Sequence, residues 1–413
     1  MEKLLSGIIA FLLSFTTAAP AAPAVIGEPE LISPALFAPS SEAVPAAYDG
    51  KPSVFDAKLA AYMADTADTT KNTVYSPFSL YAVIAMLREG ANGDTLAEID
   101  SVLGTSGENL AENTYATLSH LLTLEYTVIN ITDSVWLDKN FTPKQEYLDK
   151  LARFYLAECY RTELRYAEQQ VNSYVEKRTN GLIKELLTDD ALDSAVMMLL
   201  NTLYLDAEWQ TAFKKESTHK RPFTNADGTK TEIDFLYSGE RRQRVIDNDY
   251  CEGITIPYKD GSLSFVALMP KDETMTAAEL TETVCRTTSF ANLTIEASGE
   301  PVKLYLPKFE IEQSHDMSEV LKGMGMTVSF TGAADFTGIA HSIAVDQVIQ
   351  KAVIKVDEKG TEAAAATAAS MKATSAGPSK APRILEFDRP FCYAVIDTLT
   401  GTVLFAGEYN VGK

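Results

Sequence analysis

The chain reads as an α+β protein. Segments with helical spacing of apolar residues and segments with strand character both occur. They do not alternate in the regular way that builds a parallel α/β sheet. A second observation is size: 413 residues at 46% hydrophobic content are ample for a core, in two or three average domains or one large one. A third is one stretch unlike the rest, Asp357 to Pro382. It passes from charged residues and Gly into a run of small residues, then into Ser, Lys, Gly and Pro. A loop of this length in a compact domain is usually functional or disordered.

In chain order, Met1 to Ala24 has the pattern of a secretory signal. Lys3 gives a weak basic start, Leu4 to Phe15 a short apolar stretch, and Ala19-Pro20-Ala21 a small-residue cleavage region. The apolar stretch is too short to span a bilayer, and no later one is long enough. The protein is therefore expected to be secreted. Residues 25–50, rich in Pro, Ala and Ser, read as a flexible spacer, and 51–413 as one folded domain.

Val54 to Asp65 has helical spacing through Phe55, Leu59, Tyr62 and Met63. Thr73 to Tyr75 is a short β-run. Ser76 is a good N-cap, Pro77 suits the first helical position, and the helix runs to Arg88 before Gly90 and Gly93 break it. Thr127 to Leu137 reads as a strand and Lys144 to Phe154 as a helix. Val171 to Leu187 reads as an amphipathic helix pair interrupted at Asn180-Gly181. Val196 to Trp209 is a continuous apolar run, as in a strand buried on both faces.

From Pro222 to Pro270, short strands are expected between the turns NADG, SGERR and KDGS. KLYLPKFEI, Lys303 to Ile311, alternates as one strand. HDMSEVLKGMGM reads as a helix ending at Gly325. Ala344 to Val356 is strongly apolar and β-like. Phe391 to Asp397 and Thr402 to Tyr409 form a hairpin.

The formal net charge of −21 argues against nucleic acid or an anionic membrane as partner. The one basic cluster, Arg241, Arg242 and Arg244, reads as a solvated loop. Cys159, Cys251, Cys285 and Cys392 are far apart in sequence and show no metal spacing. They are expected mostly as free buried thiols, although secretion would permit a bridge. No catalytic, nucleotide or metal signature appears, and the four histidines are scattered. DNDYCEG and NADG are calcium-loop fragments without the remaining ligands, so they read as turns. The chain is not expected to be an enzyme, and no cofactor or metal is implied.

Thr361 to Ala376 holds no Pro or Gly, and its only charges are Glu362 and Lys372. As a strand, one face carries Thr361, Ala363, Ala365, Thr367, Ala369, Met371 and Ala373, with no charge. Both charges fall on the other face. Local propensity offers a helix instead, since Ala is the best helix former and Thr361-Glu362 a fair start.

The wider context decides for the strand. The run from Val356 through Ala368, Val-Asp-Glu-Lys-Gly-Thr-Glu-Ala-Ala-Ala-Ala-Thr-Ala, resembles the reactive-loop hinge of the serpins, a superfamily of serine protease inhibitors. Asn72 to Ser79 resembles the family's Asn-x-x-x-Ser-Pro-x-Ser segment. Asn201 to Phe213 resembles its Asn-x-x-x-Phe-x-x-x-Trp-x-x-x-Phe pattern, with Leu205 at the first aromatic position. The resemblance covers roughly Val54 to Tyr409 and lets the whole domain be placed.

It implies the serpin fold: a large mixed central sheet, two further sheets, about eight to nine helices and an exposed reactive-centre loop, here 358–383. It implies a hinge at Glu358, Gly360, Thr361, Glu362, Ala363, Ala364, Ala365, Ala366 and Thr367. Trp209, Lys308 and Glu358 match the family's breach, where the loop enters the sheet. Ser76, Ser79 and Asn201 match the shutter beneath it, with Gln350 where the family often has His. Gln both donates and accepts, so the network can persist, but a pH-sensitive latch cannot. The reactive bond usually follows the hinge glutamate by sixteen positions, which from Glu358 gives Thr374–Ser375. A small residue there suits an elastase-like protease; Lys372 is the trypsin-like rival. The loop is longer than is common, and the extra length is placed after the cut, in Gly377 to Pro382.

The function implied is suicide-type inhibition of a serine protease, as a monomer, through a covalent acyl-enzyme and loop insertion. A non-inhibitory carrier or chaperone-like serpin is the alternative. The hinge discriminates: Pro would remove a ladder donor and an inward charge would be buried unpaired, and neither is present.

Overall fold

The computed structural model describes residues 28–361 and 381–413, apart from 48, 52, 106, 180, 182–185, 188–191, 193 and 194. After a two-residue strand, β1 (Glu30–Leu31), comes α1 (Val54–Asp65), capped by Ser53 and buried through Phe55 and Leu59. Next is α2 (Pro77–Arg88). Ser76 caps it by accepting from the Ser79 amide, and Pro77 fills the first position, where a missing N–H is harmless. Nearly all its residues are buried, as for a helix apolar on every side. Gly93 opens the following helix rather than ending this one: α3 (Gly93–Leu103), then α4 (Leu110–Leu122).

The middle of the chain gives β2 (Thr127–Asp138), α5 (Gln145–Lys150), β3 (Glu158–Thr162), α6 (Glu168–Arg178) and β4 (Met197–Glu208). The expected helix after Lys144 passes into a π turn over Leu151–Tyr155. Of the expected helix pair, the first member is α6; Leu182 and Ile183 lie outside the described residues. Then follow β5 (His219–Thr224), β6 (Lys230–Asp247), β7 (Cys251–Pro257), β8 (Leu263–Pro270), α7 (Ala277–Thr287) and α8 (Phe290–Glu296). The chain closes with β9 (Ser298–Pro307), β10 (Phe309–Asp316), α9 (Met317–Gly323), β11 (Gln347–Val356), β12 (Gly360–Thr361), β13 (Arg383–Glu386), β14 (Phe391–Asp397) and β15 (Val403–Tyr409).

The central sheet is mixed and runs β1-β3-β2-β4-β12-β11-β10. β4 explains its unbroken apolar run: Met197 and Leu199 pack with the α2 core, Met198 and Leu200 with Val171 and Val175 of α6. The second sheet runs β13-β9-β6-β7-β8-β14-β15, with β5 on β6. The two smaller sheets expected are continuous through β6.

That continuity corrects the sequence reading at SGERR. It is not a turn but an irregularity within β6, where the pairing with β9 shifts register between Tyr237 and Glu240. Gly239 there has φ +66°, which a side chain would disfavour. The basic cluster beyond it is strand, not solvated loop. Arg241, Arg242 and Arg244 donate to the carbonyls of Thr211, Gly299 and Thr294.

KLYLPKFEI is likewise two strands. The chain leaves the second sheet at Pro307 and enters the central one at Phe309, with Lys308 at the crossing. The Thr73–Tyr75 β-run reduces to a single bridge, Tyr75 to Ala406. Within the expected spacer, β1 pairs with β3 and the Phe37 amide donates to the Ala152 carbonyl, so this part is docked on the domain. All four cysteines are free and buried. Burial pushes the Cys251 thiol up to about 12, which makes it unreactive.

Candidate functional site

β4 and β11 lie side by side only in part. They pair in parallel from Met198/Gln347 to Leu203/Ala352. Beyond that point β12 stands between them, with Thr361 opposite Val356 on one side and Ala207 on the other. The seam is closed at one end and wedged open at the other.

The wedge is built by a tight turn. The Asp357 carboxylate accepts from the Lys359 and Gly360 amides at 2.8 and 3.3 Å, and the Asp357 amide donates to the Gly360 carbonyl at 3.0 Å. Gly360 is required by space: a Cβ would come 1.9 Å from the Ala207 carbonyl oxygen. Thr361 follows, 1% exposed, its Oγ1 2.6 Å from the Tyr258 hydroxyl. Its hydroxyl is thus buried but partnered.

Around this open end the structure brings together Trp209, Lys308 and Glu358. The Trp209 backbone amide donates to the Lys359 carbonyl at 2.8 Å, and its indole Nε1 to the Asp357 carbonyl at 2.9 Å. Its ring stacks on Tyr258 at 4.6 Å. Glu358 is buried and accepts from Lys308 Nζ at 2.9 Å and Thr218 Oγ1 at 2.8 Å. Burial works against its ionisation, but these two hydrogen bonds, a backbone hydrogen bond and the Lys308 charge together hold the carboxyl below the ordinary range. The same contact raises the Lys308 ammonium. Because Lys308 sits where the chain changes sheets, the pair ties the wedge to both.

At the closed end Ser76, Ser79, Asn201 and Gln350 meet under the sheet. Gln350 holds the Ser76 backbone with both ends of its amide: Nε2 donates to the carbonyl at 2.9 Å, and Oε1 accepts from the N–H at 2.8 Å. Nε2 also reaches Asn201 Oδ1 across the seam at 3.4 Å. Asn201 and Gln350 are direct register partners. Ser79 contributes its backbone amide, to Ser76 Oγ at 3.3 Å; its own hydroxyl is buried without a protein partner.

The row extends to two residues that sequence reasoning missed. Asp133 of β2 faces Asn201, whose Nδ2 donates to Oδ1 at 2.7 Å. His315 of β10 faces Gln350, with Nε2 2.9 Å from the Val74 carbonyl oxygen. Burial pushes the Asp133 carboxyl up to about 7 and the His315 imidazole down. Asp133 was visible as the one charged residue in TVINITDSVWL, but its place needs the β2–β4 register. Thr218 and Tyr258 carry no comparable signal.

The remaining sites named from sequence, Glu362, Ala363, Ala364, Ala365, Ala366 and Thr367 of the hinge and Thr374 and Ser375 of the reactive bond, lie outside the described residues. Among the described residues no group of three or more His, Cys, Asp or Glu is placed to hold a metal ion.

A family model described as serpin (serine protease inhibitor) matches residues 52–411. An uncharacterised serpin-like protein of Thermococcus kodakarensis is 31% identical over 355 residues, 83% of this chain and 82% of that protein. Iripin-3 of the tick Ixodes ricinus is 30% identical, covering 82% of this chain and 89% of that one. Among solved structures, the thermophilic serpin Tengpin in its native state superposes with a TM-score of 0.80 at 28% identity. It covers 93% of this chain and 100% of its own.

Proposed function

The chain belongs to the serpin family, a family of serine protease inhibitors, and we propose that it is itself a secreted, inhibitory member. The observation that supports this most directly is the wedge. Gly360 and Thr361 are already seated as the first two residues of a new strand between β4 and β11. The residues that follow carry no Pro as far as Ala376, and the parity of Thr361 carries no charge as far as Ala373. A strand that begins in this way can be continued without losing ladder donors or burying a charge.

The proposed reaction begins with attack of the protease serine Oγ on the Thr374 carbonyl carbon. The peptide bond to Ser375 breaks, its nitrogen leaves as a protonated amine, and an ester joins Thr374 to the protease. The freed loop then extends β12 along the seam. Roughly ten new ladder hydrogen bonds at about 1 kcal/mol net each supply on the order of 10 kcal/mol. The attached protease is carried across the sheet and distorted before water reaches the ester.

Thr374 suits an elastase-like primary pocket. Lys372, two residues earlier, supports a trypsin-like target as the second reading. Mass spectrometry of the C-terminal fragment released on inhibition tests both. A fragment beginning at Ser375 is expected; one beginning at Ala373 moves the specificity to trypsin-like enzymes; a protease that releases fragment but stays active points to a non-inhibitory serpin.

A further inference from the structure

The polar row under the sheet crosses four strands at one level. Asp133 of β2, Asn201 of β4, Gln350 of β11 and His315 of β10 are successive register partners. The seam runs between the second and third of them. Asn201 is the shared member: its amide nitrogen is held by Asp133 and its oxygen by Gln350. Whatever fixes the Asn201 amide therefore decides whether its oxygen points across the seam.

We propose that Asp133 is the positioning residue of this latch and makes it proton-gated: with the carboxyl protonated the seam stays closed, and with it ionised the seam opens more readily. The inference rests on the reading that the loop inserts between β4 and β11.

The argument is geometric. Asp133 is 3% exposed, and its second carboxyl oxygen, Oδ2, is buried without a protein partner. One hydrogen bond from a neutral amide is too little for a buried carboxylate, whereas a neutral carboxyl can remain there. Among the described residues no cation reaches it: Arg165, on the turn Leu164–Tyr166 that packs against β2, pairs with Glu163. α2, which packs on β2, carries Tyr81 and Arg88 as its titratable groups, and Arg88 is engaged with Asp100. From α4, which also packs on β2, His120 is turned to Asp397 and Glu112 is exposed. In β3, Glu158 is engaged with Tyr160, Tyr174 and Arg178. In β10, His315 sits two strands beyond Asn201, bound to the Val74 carbonyl. Opening the seam frees Asn201 from Gln350 and admits water to the row, which relieves the ionised form.

The sign follows from the raised carboxyl. The native state holds this proton more tightly than the unfolded chain does, so the stabilisation is complete in acid and is lost as pH rises through about 7.

The test uses the intact protein and a synthetic peptide with the sequence of residues 361–374, which fills the seam without any protease. Uptake is followed by native gel between pH 6 and pH 8. The wild-type rate is expected to rise about tenfold, in step with the ionised fraction of a group titrating near 7. Asp133→Asn keeps the Asn201 contact without the charge and should take up peptide no faster than wild type does at pH 6, with no slope between pH 6 and pH 8. His315→Gln should keep the wild-type profile. A flat wild-type profile, an Asp133→Asn variant that retains the slope, or loss of the slope in His315→Gln instead would each overturn the proposal. The thermal midpoint of the uncut proteins separates the two readings. If no peptide enters at any pH, the insertion reading fails and the gate with it. An Asp133-dependent fall in midpoint would then mark a titrating core residue only.

Discussion

The closed end of the seam is held by neutral amides beneath the sheet; the open end is held by an ion pair and stacked rings at its rim. Gln350 and Asn201 are 0% and 1% exposed, whereas the Lys308 side chain facing Glu358 is 37% exposed. When the strands part, water can replace the Lys308 ammonium's contact at small cost. The amides have no such substitute until the sheet has opened, and each group left unpaired meanwhile costs its full desolvation. The comparison teaches where resistance to insertion sits. On the proposed insertion, the rim would guide the loop in and the buried row would set how far it goes unaided.

The largest effect that would sharpen this picture is loop cleavage. Cutting within 362–380 should let β12 continue past Leu203 and Ala352. The melting midpoint should then rise on the order of 20 °C, given on the order of 10 kcal/mol of new ladder bonding. Cut and intact protein that melt together would show that the wedge does not propagate.

Next in size is parity at the open end. Thr361→Arg puts a charge where a 1%-exposed hydroxyl meets Tyr258, at a cost on the order of 3 kcal/mol or more. It should convert an inhibitor into a substrate, and Glu362→Arg should do much less. Equal yields of stable protease complex from the two variants would rule out the parity argument.

The smallest effects compare the ends directly. Gln350→Ala strands the Ser76 backbone and Asn201 and should cost on the order of 2 kcal/mol of native stability. Lys308→Met should cost within about 1 kcal/mol. Urea denaturation of both variants measures the difference, and the reverse order would move the resistance to the rim. The rim also has its own pH signature. The Glu358 carboxyl is held low, so its contribution is present above the ordinary Glu range and lost as pH falls below it. A Glu358→Gln variant should lose that acid dependence while keeping any slope near neutrality.

Much of this was legible in the residues. Ser76-Pro77 announces the start of α2 through capping chemistry alone. The run from Val196 announces β4 because a doubly buried strand needs apolar residues at both parities. Gly360, Thr361, Trp209, Lys308, Gln350 and Asn201 could be named from their resemblance to a family pattern. Local sequence misled where the pattern and the strand ends do not coincide, in both directions. Gly239 looks like a turn and is an irregularity inside β6. Pro307-Lys308 looks like mid-strand and is a crossing between sheets.

What the sequence by itself determined is therefore many of the helices and strands as local elements, since caps and periodicity act within a few residues of one another. What only the tertiary structure decided is who meets whom across the seam. Strand register is a long-range property, set by how whole faces pack, and a shift of one residue would turn Asp133 away from Asn201. That is why an acid sitting in plain view in TVINITDSVWL joined the polar row only once β2, β4, β11 and β10 were laid side by side.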